Sequence, residues 1–250
     1  MDQVKQYDAV VIGAGLSGLT AASLLGKRGL RVAVVEHHRS PGGSCGAFKR
    51  GDALFDQGSA MLFGFGEEGF NAHRFVFNCL EEPFTVLKHE LLYCVNFRGH
   101  RIRFYPDIER FSQELGRVFP NERDNIRRFY RDMEVMYRHV MVDNPAYTTP
   151  DETDKRNSLK GMLKGLYLCG ESTVMGTGTP TVTTSGISAA NAVLAKEGLA
   201  PFRYRKNMPD YVTTVQSPLT RDALYGIYPE AQREVMTQAM VCRFCEHPTC

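Results

Sequence analysis

No run of apolar residues in this chain is long enough to cross a bilayer, so a transmembrane protein is not expected. Neither sign of charge prevails: 30 Lys and Arg stand against 28 Asp and Glu, and the net charge of +2 lacks the basic footprint of a nucleic-acid binder. The opening MDQVKQYDAVVIG does not read as a secretory signal, because an acidic residue and polar residues precede a short run that ends in glycine. A reducing, cytoplasmic setting is therefore the expectation, and in it seven cysteines read as thiols or metal ligands rather than disulfides. What is present is globular in character. The 250 residues are 43% hydrophobic and 23% charged, enough for one sizeable core and a small appendage.

The first motif is a strand, a turn, a helix, a second strand and an acid. Ala9-Val10-Val11-Ile12 is the short β-branched run of a buried parallel strand. It leads into Gly13-Ala14-Gly15-Leu16-Ser17-Gly18, then a helical pattern that ends near Gly29, then Arg31–Val35 and Glu36. Each glycine has a task in a dinucleotide-binding turn. Gly13 allows the tight turn, Gly15 lets the backbone approach a pyrophosphate, and Gly18 lets helix and strand pack closely. The helix N-terminus offers N–H groups and partial positive charge to phosphates. Glu36, 18 residues after Gly18, is placed to accept bonds from ribose hydroxyls and disfavours a 2′-phosphate.

The following stretch, EHHRSPGGSCGAFKRGDALFDQGSAMLFG, resembles the flavoprotein family of phytoene desaturases, carotenoid isomerases, retinol saturases and amine oxidases. The matching residues are Glu36, Arg39, Gly42-Gly43 and Phe55-Asp56-Gln57-Gly58. By that resemblance Arg39 and the Gly42-Gly43 backbone lie along the pyrophosphate and ribityl chain of FAD; taken alone, the glycine pair reads as a flexible loop. Much later come Leu166–Cys169, which reads as a short apolar strand, Gly170-Glu171, a loop with Gly178-Thr179-Pro180-Thr181-Val182, and a helical pattern over Thr184–Lys196. This resembles the closing flavin motif of the same family. It implies that Glu171 accepts from a ribityl hydroxyl and that the Thr181-Val182 backbone faces the pyrimidine edge of the isoalloxazine. It also implies that the positive helix end stabilises reduced flavin. The candidate cofactor residues are Gly13, Ala14, Gly15, Ser17, Gly18, Glu36, His37, Arg39, Gly42, Gly43, Gly170, Glu171, Thr181 and Val182.

The middle reads as a hairpin, Leu91–Phe97 and His100–Tyr105 about Arg98-Gly99, then a helix capped by Asp107. A longer helix follows Pro120, and its stripe of Ile126, Phe129, Met133, Met136, Tyr137 and Val140 fits either core or the wall of an apolar pocket. Residues 144–157 read as a linker. Here the chain departs from the resemblance: the relatives carry a much larger substrate domain, whereas only about 110 residues separate Gly46 from Ser158. A reduced substrate cavity is the expectation. No side chain is singled out as catalytic acid or base, and the seven histidines read as surface groups in loop, hairpin or tail contexts.

PFRYRKNMPDYVTTVQSP reads as a further linker, and the chain closes on Cys242-Arg-Phe-Cys245-Glu-His-Pro-Thr-Cys250. This spacing resembles the cluster-binding segment of glutamate-synthase small subunits and dihydropyrimidine dehydrogenase, where a fourth cysteine follows. Soft thiolates converging from one loop suit an iron–sulfur cluster. Zinc with His247 as a nitrogen ligand, and thiols that bind nothing, stand as alternatives. Cys45, Cys79, Cys94 and Cys169 read as small buried groups.

The expected fold is α/β. Residues 1–60 and 158–200 form a Rossmann-like FAD-binding domain with a parallel sheet and helices, 61–157 a reduced α+β substrate or cap region, and 201–250 a linker and a partial iron–sulfur segment. The resemblance implies hydride transfer between FAD and an apolar, unsaturated substrate, a redox protein as a partner, and peripheral membrane contact. An FAD-binding chain without catalysis, acting in assembly or electron transfer, is the alternative. An NAD-dependent dehydrogenase is the weaker third reading, since it leaves the C-terminal half-motif unexplained.

Overall fold

Residues 6–59, 61–143, 165–173 and 178–217 are described by the computed structural model. They fall into two units, Met1–Phe84 with His139–Thr213, and Thr85–Arg138 with Thr214–Cys250.

In the first unit the β-branched runs form β1 (Ala9–Ile12) and β2 (Val32–Val35), joined by α1 (Leu16–Lys27). They pair in parallel, Ala9 opposite Val32 and Ile12 opposite Val35, and α1 supplies the crossover that a parallel pair requires. The helix starts at Leu16, directly after Gly15, so Gly18 lies in its first turn. Gly29, at φ +88°, ends it as expected. Ala9 and Val32 pack against the core, whereas Val10, Ile12 and Val35 point the other way and are exposed, Ile12 at 88%. A hairpin of β3 (Ala47–Arg50) and β4 (Ala53–Asp56) follows.

Helix α2 (Ala72–Leu80) has no counterpart in the sequence reading. Its N-terminal half is buried on all sides, so the segment has no clean polar face to mark it as an amphipathic surface helix. The core is built by Ala21, Leu24 and Leu25 of α1, Phe75 and Val76 of α2, and Ile187, Ala190 and Leu194 of the long C-terminal helix, closed by Phe70 and Phe202. That helix, Thr179–Lys196, begins five residues before the expected Thr184. Gly178 is its N-cap and Pro180 sits in its first turn, where a missing N–H costs nothing.

Two expectations are corrected. Leu166–Cys169 is irregular backbone, not a strand, and Leu166 and Leu168 are exposed. An apolar run of four shows a preference for burial, but a strand also needs a neighbouring edge to bond. The stretch from Pro201 onward is docked rather than a free linker. Phe202 and Val212 are buried. The Asn191 amide exchanges hydrogen bonds with the Phe202 backbone (2.9 and 2.8 Å). The Arg74 guanidinium pairs with Asp210 and donates to the Val212 carbonyl at 3.1 Å. Isolated apolar anchors in a polar stretch escape periodicity, which counts only regular spacings.

The second unit carries the expected hairpin, here β6 (Tyr93–Phe97) and β7 (His100–Phe104). β5 (Phe84–Lys88) precedes it and pairs with β8 (Val212–Gln216). Arg98 and Gly99 both have positive φ, 47° and 77°, as a two-residue hairpin turn of the favoured hand requires. Helix α3 (Ile108–Val118) is capped by Asp107, whose carboxylate accepts from Arg110 N at 2.7 Å. Helix α4 (Arg123–Tyr137) follows Pro120, and the C-terminal helix of the first unit is thus α5. Ile102, Phe111 and Val118 form the small core of this unit. No helix among the described residues is long and apolar enough to cross a membrane.

Candidate functional site

The glycine turn after β1 is shaped by two different constraints. Gly13 has φ +100° and donates to the Val35 carbonyl at 2.7 Å, tying the turn to the end of β2. A Cβ on Gly18 would stand 2.1 Å from the Gly13 carbonyl oxygen, so this position admits no side chain. A Cβ on Gly15 would meet nothing within 4 Å. The backbone at Gly15 therefore faces open space at the start of α1, whose first turn has no side-chain cap. The leading N–H groups of a helix, here at Leu16, Ser17 and Gly18, have no intrahelical acceptor, and they carry the positive end of the helix dipole. A pyrophosphate could be held there by backbone alone.

Glu36 ends β2 and reaches back to this turn. Its carboxylate accepts from Ala14 N at 2.7 Å with one oxygen and from His38 N at 2.8 Å with the other. These backbone donors, His38 foremost, hold the Glu36 carboxyl below its ordinary value. A carboxylate offers about four lone-pair sites, so capacity remains for ribose hydroxyls. His37 and Arg39 are exposed on the loop that follows, His37 edge-on to His38 at 5.4 Å. The Gly42-Gly43 pair then folds over the first turn: Gly42 N donates to the Ala14 carbonyl at 2.7 Å, and a Cβ on Gly43 would lie 3.2 Å from Gly15 Cα. Both have left-handed φ, 117° and 56°.

The C-terminal residues assemble separately. Gly170, at φ +133°, donates through its N–H to Ser185 Oγ at 2.7 Å, and Thr173 Oγ1 donates to the Gly170 carbonyl at 2.7 Å. Ser185 is 1% exposed and lies 2.8 Å from Thr173 Oγ1. These two hydroxyls, which sequence reasoning did not assign, pin the Gly170–Thr173 turn to α5. Glu171 is exposed at the start of that turn. Thr181 and Val182 are half-buried in the first turn of α5, and Val182 N donates to the Gly178 carbonyl at 3.2 Å.

The two groups of residues meet at the crossing of α1 and α5. A Cβ on Gly186 would stand 2.4 Å from the Ser17 carbonyl oxygen and 2.9 Å from Thr20 Cβ. Backbones far apart in the chain thus touch, and they do so beside the glycine turn.

His73 corrects the reading of the histidines as surface groups. It lies in α2, 5% exposed, with Nδ1 3.2 Å from Thr183 Oγ1 and its ring stacked on Phe65 at 5.1 Å. Burial pushes its pKa down to about 4, so the imidazole is neutral. The i, i+3, i+4, i+7 row of His73, Val76, Phe77 and Leu80 was the available signal for its inward side.

Of the cysteines, Cys79 and Cys94 are buried and Cys45 and Cys169 half-buried, as small apolar groups would be; burial pushes the Cys79 thiol up to about 12. Cys242, Cys245, Cys250 and His247 lie outside the described residues, as does the 144–157 stretch. Among the described residues no group of three His, Cys, Asp or Glu side chains is placed to hold a metal.

Within the second unit the Met and aromatic stripe of α4 is the wall of an open groove. Phe129, Met133 and Tyr137 are exposed. With Tyr130, Tyr105 and Ile108 they line a space of about 820 Å³ rimmed by Lys88, Glu90 and Arg110.

Residues 11–78 match the family described as an NAD(P)-binding Rossmann-like domain. The chain is 37% identical over 140 residues to prolycopene isomerase 2, chloroplastic, of an Oncidium hybrid cultivar, covering 53% of this chain and 23% of that protein. It is 29% identical over 133 residues to the neurosporene-forming phytoene desaturase of Rhodobacter capsulatus, 52% of this chain and 25% of that one. To the human all-trans-retinol 13,14-reductase it is 32% identical over 142 residues, 53% and 22% of the two chains. The chain thus spans about a quarter of the length of these curated relatives. Over about half of its length the chain is similar to prolycopene isomerases, phytoene desaturases and retinol reductases, and its N-terminal part is Rossmann-like.

Proposed function

We propose that the chain binds FAD and works as a flavin-dependent oxidoreductase on an apolar, unsaturated substrate of carotenoid, retinoid or lipid type. The observation that carries this reading is the α1–α5 crossing, where Gly186 of the C-terminal motif lies against the Ser17 backbone of the N-terminal one. An NAD(P) site alone gives the second motif no purpose. The residues fit the cofactor: Gly15 opens onto free space, Glu36 keeps acceptor capacity, and Gly42-Gly43 brings a second backbone to the same turn.

In this reading the α1 N–H groups and the Gly42-Gly43 backbone bind the pyrophosphate, with Arg39 beside it, and Glu36 accepts from the adenosine ribose. Glu171 accepts from the ribityl chain. The first turn of α5, at Thr181-Val182, faces the pyrimidine edge and directs its positive end there. When bound, the flavin would supply hydride exchange with a substrate carbon, while the protein supplies position and field. The apolar wall of α4 fits a hydrophobic ligand, and peripheral contact with a membrane would deliver one.

The Cys242, Cys245 and Cys250 tail is proposed to bind an iron–sulfur cluster that passes electrons between flavin and a redox protein, with zinc as the competing occupant. A reducing, cytoplasmic setting is part of the same proposal.

A second reading, an FAD-binding chain that assembles with a partner and does not itself catalyse, is favoured by one observation. Parallel sheets are covered on both faces, yet Val10, Ile12 and Val35 of the β1–β2 pair are exposed.

The test is an absorption spectrum of anaerobically purified protein before and after mild reduction. Flavin bands that bleach support FAD, and a broad brown shoulder supports the cluster. Turnover of an apolar polyene then separates the two readings, and a colourless protein that takes up no FAD would overturn both.

A further inference from the structure

Helix α4 keeps its apolar side exposed. None of its residues is buried. Phe129, Met133, Met136 and Tyr137 recur at helical spacing on one side, yet Phe129 is 57% exposed and the other three are exposed with it. The share of α4 in the small core of its unit is Tyr130, whose ring meets Phe111 edge-on at 5.6 Å. Helices in proteins owe most of their stability to packing such a side against a neighbour.

The chain itself leaves from the rim of this groove. Gln216, which ends β8, lines it. Ser217 N donates to the carbonyl of Lys88, another lining residue, at 2.9 Å. Residues 218–250 follow and lie outside the described residues. Their sequence holds an amphipathic pattern. Pro229 suits a first helical position, and residues 230–241 contain no glycine and no further proline. At about 100° per residue, Ala231, Val235, Met236, Ala239 and Met240 share one half of a helical turn, with Gln232 among them. Glu230, Arg233, Glu234 and Thr237 fall on the other half. The eleven residues 218–228 span up to about 36 Å when extended, and the 15 residues of α4 make a helix about 22 Å long. The tether therefore reaches every point along it. Lys88 and Glu134 line the groove with opposite charges that no ion pair takes up among the described residues, and Arg233 and Glu230 offer the matching pair on the segment.

We propose that the groove of the second unit is a docking surface for the chain's own segment 230–241, seated as a helix with Val235, Met236 and Met240 against Phe129, Met133 and Tyr137. Seated there, the segment covers the apolar side of α4 and holds the Cys242 and Cys245 thiols beside the second unit. A hydrophobic ligand then reaches this wall only by displacing the segment, whatever cofactor the first unit binds.

The test is hydrogen exchange of the whole chain, read by mass spectrometry at two protein concentrations. Val235→Glu puts a charge on the apolar side of the segment. Thr237→Glu puts the same charge on its polar side, with the same helix former. Val235→Glu is expected to speed amide exchange over α4 roughly tenfold or more, and Thr237→Glu to leave it within about twofold of wild type. In reverse, Met133→Glu on the exposed side of α4 should speed exchange over 230–241 by a like factor. These effects should be the same at both concentrations, as contact within one chain requires. Exchange over α4 unmoved by Val235→Glu overturns the proposal, as does equal acceleration by Thr237→Glu. Protection of α4 that rises with protein concentration assigns the groove to a second copy and overturns it too. Val235→Glu leaves Ile102, Phe111 and Val118 of the small core in place, so it decides the matter even where Met133→Glu folds poorly.

Discussion

Gly186→Ala inserts one methyl group into the close contact between α1 and α5. The added Cβ would lie 2.4 Å from the Ser17 carbonyl oxygen and 2.9 Å from Thr20 Cβ. Ordinary contact would require α1 and α5 to separate by about 1 Å. The separation would loosen the interface of Ala21, Leu24, Ile187, Ala190 and Leu194, all of them buried. Overpacking of this kind costs about 1–3 kcal/mol. Ala gains about 1 kcal/mol over Gly in a helix interior, so the net loss is roughly 0–2 kcal/mol. Gly26→Ala is the matched control. It also lies in a helix, α1, but a Cβ there meets nothing within 4 Å. That variant is expected to gain up to about 1 kcal/mol from propensity alone. Urea unfolding followed by circular dichroism reads both, and FAD titration of Gly186→Ala should show a weaker site, because the same displacement moves Ser17 and the first turn of α1. Equal stabilisation of the two variants would refute the claim that backbone contact at Gly186 joins the two half-motifs.

Glu36→Gln should raise the FAD dissociation constant by about tenfold or more, since one of the two carboxylate oxygens becomes a donor facing the His38 N–H. An unchanged constant would show that the acid serves the loop only. His73 has a folded-state pKa of about 4 against an ordinary 6.5, so the unfolded chain takes up this proton first. Stability should fall as pH is lowered from about 6.5 to about 4 and gain no further slope from this group below that. The whole effect is on the order of 3 kcal/mol. His73→Phe should remove that slope, and urea titrations at several pH values would reveal a persisting one. Arg74→Met leaves the Phe65 and Val212 carbonyls without their buried donor and should cost about 2–3 kcal/mol, with faster proteolysis near Asp210. A loss under about 0.5 kcal/mol would show that this guanidinium is not an anchor.

The elements legible in the sequence are those specified by local chemistry. The β-branched runs at Ala9 and Val32, the Asp107 cap and the Arg98-Gly99 turn each state their conformation within a few residues, and each stands where expected. The same holds for the glycine turn, whose demands for positive φ at Gly13 and no side chain at Gly18 are backbone requirements. Elements that depend on distant partners were not legible. α2 is buried all round in its first half, and the docking of Phe202 and Val212 rests on Asn191 and Arg74. Leu166–Cys169 had the composition of a strand and no ladder.

The sequence by itself determined the nucleotide half-motif, its acid and the helices that flank it, because glycine stereochemistry and short-range capping do not depend on the rest of the chain. Tertiary structure alone decided that Gly186 meets Ser17, that Glu36 turns back to Ala14 N, and that His73 lies buried with one nitrogen unpaired. Those are contacts between residues far apart in the chain, and no local pattern encodes them: they follow only when the helices bury their apolar faces against one another.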